Sequence, residues 1–395
     1  MPFDLSDKLV VAVSSRALFD LRKEHEIFES QGLEAFKDYQ LLHEAAPLSP
    51  GTAFDIVESL LKLNEQGSHF VEVMILSKNH PDISLRVQNS IKTYGLPISR
   101  SGLTGGGAVT NYAKALKADL FLSADLSDVR DHVKAGLAAG LVYPPPAGEK
   151  NSKDATIRIA FDGDCVLFSG QAEAINQCDG LAAFHEHEDR KADLPLPDGP
   201  FAALLRKLSK MRKANGHPFR FALVTARNAP AHQRAIKTLR NWEVELDEAF
   251  FLGGLDKTGV LAVFRPQIFF DDTAKHCDAA APLVRTALVP YAIQIPALSV
   301  PVPLPTRDRF LTLCGSYLGK KSGQLTEFED WYAVKLSQSA ESLQMRFVVR
   351  MEESLRGTVV GLDRRSKGKR DTNANKLILY LNRLASQIEK QGDVE

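Results

Sequence analysis

The sequence predicts an α/β fold made of two tandem parallel-sheet units, followed by a helical extension. Three observations carry this. Short continuous apolar runs ending in polar residues alternate with amphipathic segments, as expected for strands buried on both faces and covered by helices. The whole pattern occurs twice. The chain has 395 residues, more than one simple core holds, so two or three domains are expected.

The elements follow in order. "KLVVAVSSRALF" (8–19) reads as a buried strand running into a polar turn. After an insertion come the amphipathic helix "AFDIVESLLKLNEQ", the strand "FVEVMIL", the helix "PDISLRVQNSIKTYG" and the strand "ADLFLSAD". The second copy answers with "IRIAFDGDCVLF", "PFAALLRKLSKMRKANG", "FRFALVT", "APAHQRAIKTLRNWE" and "PQIFFDD". Setting Ser14 over Asp162, 148 residues on, lays "GLEAF" (32–36) over "GLAAF" (180–184) without a gap. The same register lays "PLSPG" (47–51) over "PLPDG" (195–199), and Ser77 over Thr225. With one residue deleted, "LFLSAD" (120–125) falls over "IFFDD" (268–272), and with a second "GLVYP" (140–144) falls over "TALVP" (286–290). One register held across so many segments points to a tandem duplication. The expected units are 1–150 and 151–300, the second with a cap-type insertion at about 170–217. Residues 301–395 read as a proline-rich linker and a helical C-terminal extension around the basic break "DRRSKGKRD" (363–371), a packing or oligomerising appendage.

Composition narrows the function. Forty-nine basic residues balance forty-nine acidic ones, so nothing favours nucleic acid or a membrane surface as partner. No apolar run approaches a membrane span. The start, "MPFDLSDKLVVAVSS", is acidic rather than basic, unlike a secretory signal. Cys165, Cys178, Cys277 and Cys314 show no CxxC or disulfide-framework spacing. A cytoplasmic protein acting on a small molecule is the expectation, and a homo-oligomer is compatible with it.

In a parallel sheet ligands sit at the carboxyl ends of the strands. There the second copy carries Asp162 and Asp164, separated only by Gly163, then Thr225, and Asp271 with Asp272; Lys257 lies in "GGLDKTGVL". Converging carboxylates are costly unless a cation joins them. An all-oxygen set suits Mg²⁺. A hydroxyl and an ammonium beside that ion would receive a phosphate, and a facing carboxylate could attack it in line.

These motifs are similar, in order, to the four of the haloacid dehalogenase superfamily, with its Rossmannoid sheet. The match is closer to the cytosolic 5′-nucleotidase I family, which shows "AVSSRALF", "FDGDAVLFS", "YLVTARS", "ALKTLRSWG" and "IFFDD". The counterparts here are "AVSSRALF" (12–19), "FDGDCVLFS" (161–169), "ALVTARN" (222–228), "AIKTLRNWE" (235–243) and "IFFDD" (268–272), and the resemblance covers roughly 8–295. It implies a Mg²⁺-dependent 5′-nucleotidase acting on 5′-nucleoside monophosphates, AMP foremost. By the resemblance Asp162 is the nucleophile and Asp164 the acid and base. Thr225 and Lys257 hold the phosphoryl group, with Gly163, Ala226 and Arg227 around it. Asp162, Asp271, Asp272 and the Asp164 carbonyl surround the metal. The "LDKTG" loop departs from the family's "APKGP" and mimics an ion-pump signature in which Asp256 would be the nucleophile, but pumps span membranes. The alternatives are a phosphatase for another small phosphomonoester, and a nucleotide-sensing or scaffold protein.

In "AFHEHEDRK" (183–191), His185 and His187 make a poor metal site, while Phe184, His185 or Glu188 could touch a base or ribose. "SGLTGGGAVTN" (101–111) lacks the Gly-Lys-Ser/Thr ending of a P-loop and reads as a flexible turn. The first copy has lost the chemistry. Ser14 and Arg16 replace the two aspartates, Ser77 keeps the hydroxyl, and the gapped register sets Ala124 at Asp271 and Asp125 at Asp272. Ser14, Ser15, Arg16, Ser77 and Lys78 are a candidate anion or effector site, or a set that reaches across to the substrate of the second copy.

Overall fold

The computed structural model describes residues 4–66, 69–146, 156–216 and 218–292; the linker and extension expected over 301–395 lie outside them. Residues 4–173 and 185–292 belong to one compact unit. Residues 174–184, the middle of the helix Gln171–Arg190, fall outside that unit.

The strands are β1 (Leu9–Val13), β2 (Val71–Ser77), β3 (Arg100–Leu103), β4 (Leu120–Ser123), β5 (Ala139–Val142), β6 (Ile157–Phe161), β7 (Phe219–Thr225), β8 (Glu248–Phe251), β9 (Ile268–Asp271) and β10 (Thr286–Leu288). Among the described residues they form one ten-stranded sheet in the order β3-β2-β1-β4-β5-β10-β9-β6-β7-β8. The class is α/β with a mostly parallel sheet, as the apolar runs predict: β1 is buried throughout and β2 and β7 nearly so. The helices Phe54–Lys62 and Ala202–Asn215 supply apolar residues to the same core.

The pairing registers of the two halves coincide. Leu9 pairs with Val71 and Ile157 with Phe219; Met74 pairs with Arg100 and Ala222 with Glu248. Backbone exceptions recur at the same spacing. Gly32 and Gly180 interrupt the helices Arg22–Leu42 and Gln171–Arg190 at φ 87° and 84°. Gly105 and Gly106 repeat as Gly253 and Gly254, and Lys117 as Arg265, all at positive φ. The ungapped register continues into the third strand: Val11 pairs with Leu120 and Ile159 with Ile268. Ser123, not Ala124, therefore stands where Asp271 does, and Ala124 stands at Asp272. The expected deletion falls after β4. Asp125 instead caps the helix Leu126–Lys134, accepting from the Asp128 N–H.

One pairing is antiparallel. Ala287 pairs with Val142 and Leu288 with Leu141, joining β10 to β5. Strands within each half are parallel, so the halves point opposite ways and their carboxyl ends lie on opposite rims. Gly140 makes this seam possible. A Cβ there would meet the Ala287 Cβ at 2.8 Å and the Phe270 ring at 3.0 Å. Phe270 packs on Phe161 and Phe201, with ring centroids 5.8 and 4.5 Å away.

Candidate active site

The carboxyl rim of β6, β7 and β9 gathers the acidic set. Asp162 follows β6, and its N–H donates to the Phe270 carbonyl at 2.8 Å, which seats it beside β9. The chain then turns tightly, with the N–H groups of Leu167 and Phe168 both donating to the Gly163 carbonyl. A Cβ on Gly163 would sit 3.0 Å from Thr225 Oγ1, so glycine lets this loop approach the end of β7. Thr225 is buried and its Oγ1 accepts the Arg227 N–H at 3.3 Å. Ala226 between them is exposed.

Lys257 enters from the loop before the helix Thr258–Phe264 and is buried. Its Nζ lies 2.9 Å from Asp162 Oδ1 and 2.6 Å from Asp271 Oδ2. Asp271 also accepts the Thr273 N–H at 2.8 Å, and His276 Nδ1 lies 3.2 Å from both of its oxygens. Asp256, the ion-pump-like alternative, is exposed and accepts the Thr258 N–H at 2.8 Å, as an ordinary turn residue does.

Ligand oxygens of Asp162, Asp271 and Asp272 lie within 4.8 Å of one another. Three ionised carboxylates against one ammonium leave two negative charges, the charge of one divalent cation. Asp162 Oδ1 is buried and accepts no hydrogen bond of good geometry, although Lys257 pairs with it. Burial, aided by the neighbouring aspartates, pushes Asp162 up to about 6 against the pull of Lys257. Burial and the charges of Asp162 and Asp271 push Asp272 up to about 8. Burial also opposes the charge on Asp271, but hydrogen bonding from His276 and the nearby Lys257 outweigh it and hold its pKa below the usual value. Such a cluster draws protons when no cation balances it. The residues fit Mg²⁺: oxygen donors, few in number, with two charges to satisfy.

Asp164 stands apart from this triad. Arg227 grips it with two hydrogen bonds, Nε and Nη2 each 2.7 Å from a carboxylate oxygen. Arg227 is itself buried and also donates from Nη1 to Glu188, which accepts from Arg234 Nη1 at 2.8 Å. The resemblance set Arg227 at the phosphate; here its guanidinium is turned to two carboxylates. Glu188, considered for base or ribose, is buried beneath Asp164 instead. His185 Nε2 lies 2.9 Å from Asn228 Oδ1, and His187 pairs with Glu188 at 3.0 Å. His276 and Arg234 were not singled out from sequence. His276 sits five residues past Asp271, on the following helix Ala274–Ala280, a spacing that could have flagged it.

On the opposite rim, Ser14, Ser77 and Ser123 take the places of Asp162, Thr225 and Asp271, and all three are buried. Val109, the residue before the helix Thr110–Ala115, stands where Lys257 does. Ser15 lies beneath, its Oγ 2.9 Å from Ser77 Oγ and accepting from Asn79 at 2.9 Å. Lys78 is taken by Asp128 at 2.7 Å. The opposed strands correct one expectation: this set faces away from Asp162 and cannot reach its substrate.

Fold and site together define an α/β protein with an acidic, lysine-balanced centre at a topological switch point between β6 and β9. The chain belongs to the 5′-nucleotidase family, whose sequence model matches residues 1–295. It is 36% identical over 289 residues to human cytosolic 5′-nucleotidase 1B, covering 69% of this chain and 47% of that protein. It thus spans about half the length of that curated relative. A crystal structure of histidinol dehydrogenase from Elizabethkingia anophelis aligns over 70% of this chain and 79% of its own at 10% identity, with a TM-score of 0.17, too low to bear on the fold. Among the described residues no helix is long and apolar enough to cross a membrane.

Proposed function

We propose that this chain is a Mg²⁺-dependent 5′-nucleotidase that hydrolyses 5′-nucleoside monophosphates, AMP foremost, to nucleoside and phosphate. The observation that carries this reading is the triad of Asp162, Asp271 and Asp272 closed by Lys257, in a chain of this family. Asp162, Asp271 and Asp272 would hold Mg²⁺, together with the Asp164 carbonyl. Bound there, the ion would neutralise the carboxylates and the phosphoryl oxygens.

The chain's own residues supply the rest. An oxygen of Asp162 attacks phosphorus as the bond to the 5′-oxygen breaks, leaving an aspartyl-phosphate. Asp164 gives its proton to the departing oxygen. Water then attacks the phosphorus, Asp164 takes its proton, and the phosphate leaves Asp162. Lys257 and Thr225 hold the phosphoryl oxygens as negative charge builds on them. Arg227 orients the Asp164 carboxylate through its double hydrogen bond. The matching registers support an internal duplication in which only the second half kept its chemistry.

The test is phosphate release from 5′-, 3′- and 2′-nucleoside monophosphates and sugar phosphates, with Mg²⁺ or chelator, beside Asp162→Asn. Release from 5′-monophosphates alone, needing both Mg²⁺ and Asp162, is expected. Release indifferent to Asp162, or none, overturns the reading; release from sugar phosphates instead makes it another phosphatase.

A further inference from the structure

We infer that the cavity at the carboxyl ends of β1, β2 and β4 is a second ligand site, one that binds a nucleoside monophosphate without metal and without cleaving it. The cavity measures about 420 Å³, within the range of small-molecule sites. It occupies the switch point between β1 and β4, where an open α/β sheet binds ligands, on the rim opposite the acidic centre.

Its polar lining suits a phosphate. Ser14, Ser77 and Ser123 offer hydroxyls where the other half has Asp162, Thr225 and Asp271, so no carboxylate repels an anion at those positions. The cations and acids around them are unequally engaged. Glu24 is paired with Arg86 at 2.6 Å, and Asp128 with Lys78 at 2.7 Å. Asp125 accepts from Ser127 and from the Asp128 N–H. Arg16 is the exception. It lines the cavity half-buried, and among the described residues its guanidinium makes no hydrogen bond and no ion pair; Asp125 and Glu29 act on it only from longer range. A partly desolvated guanidinium with a vacant donor fork is built for a planar or tetrahedral oxyanion. Burial pushes its pKa down from the ordinary value, the cost that a bound anion would offset.

The remaining wall suits a ring and its sugar. Phe28, Phe36 and His25 line the cavity, with His25 stacked on Phe28 at 6.4 Å and Phe36 edge-on to it at 5.9 Å. Phe28 is 42% exposed, an aromatic face available for stacking. Glu29 beside it is an acceptor for sugar hydroxyls or an exocyclic amine. The "TGGG" turn contributes Gly105 and Gly106, whose N–H groups are bound to the carbonyls of Asn79 and Lys78, so this wall is folded onto the end of β2.

The test is calorimetric titration of the full chain with AMP and with inorganic phosphate, in chelator, in an Asp162→Asn background that prevents turnover. AMP is expected to bind without metal, and Arg16→Ala to weaken it at least about tenfold. Phe28→Ala is expected to weaken AMP severalfold and phosphate hardly at all. Should Arg16→Ala not fold, Arg16→Lys replaces it, with severalfold weakening expected because the fork is lost. AMP binding that is absent at millimolar concentration, or is indifferent to both Arg16 and Phe28, overturns the inference. Phosphate binding that is Arg16-dependent and as tight as AMP binding overturns its nucleoside part. No turnover is read, so failure of the nucleotidase assay leaves this result interpretable.

Discussion

Lys257 is the residue on which the acidic centre turns. Its ammonium is buried, which alone would favour loss of the proton, yet the charges of Asp162 and Asp271 outweigh that and raise its pKa. Lys257→Ala would leave two buried carboxylates uncompensated, a loss of about 3–5 kcal/mol of stability and of about 10²–10³ in turnover. Millimolar Mg²⁺ should raise the melting temperature of Lys257→Ala more than that of the parent, because the ion alone then balances the cluster. A melting temperature indifferent to Mg²⁺ in both would show that the carboxylates hold no cation. Glu188 sets a pH limit of a different kind. Burial opposes its charge, but Arg227 and Arg234 prevail and its folded pKa lies below the unfolded value. Its contribution is therefore complete above the unfolded pKa and is lost as pH falls through the folded one. Thermal melts from pH 7 downward should show Glu188→Gln less stable at neutral pH and less sensitive to acid; parallel curves for parent and variant would refute this.

Among the elements, six of the ten strands were legible in the sequence, β1, β2, β4, β6, β7 and β9, and the direction of one pairing was not. β6, β7 and β9 are short apolar runs that end at a functional residue, so Asp162, Thr225 and Asp271 could be placed from pattern alone; β3, an edge strand with no fully buried residue, has no such run, and the stretch holding it read as a turn. Glu188 could not: its neighbours His187 and Asp189 are polar, and only the fold reveals two arginines closing over it. The third-strand register slipped by one because the gap in the repeat lies between β4 and β5, where no matching letters fix it. The antiparallel approach of β10 to β5 depends on how the second half is laid beside the first, which no local pattern encodes. The seam leaves one mark, Gly140. Gly140→Ala would force its Cβ against Ala287 and Phe270, a loss of about 1–3 kcal/mol. Gly259→Ala, in the helix Thr258–Phe264 with nothing within 4 Å of the new methyl, should instead stabilise by up to about 1 kcal/mol. Thermal denaturation of both variants decides whether close contact at the seam, rather than glycine's general cost, sets the sign.

At the scale of the molecule, the repeat predicts two units, and the structure joins their strands in one sheet over a continuous core. That core runs from Leu9 through Phe161 and Phe270 to Val289, taking residues from both halves. Ion pairs cross the seam as well: Arg285 with Asp55, and Lys207 with Asp119 at 2.6 Å, whose carboxylate also accepts the Val10 N–H at 2.7 Å. Hydrophobic contact that is shared in this way cannot be lost by one half alone. Opening either would expose the seam strands of the other, together with an unpaired β5 or β10. The halves should therefore unfold together, although their sites face opposite rims. Hydrogen exchange of the full chain in rising denaturant tests this directly. Amides of β1 and β4 should lose protection with the same denaturant dependence as those of β6 and β9. Two separate dependences would mean that each half is a cooperative unit and that the antiparallel seam is only a contact between them.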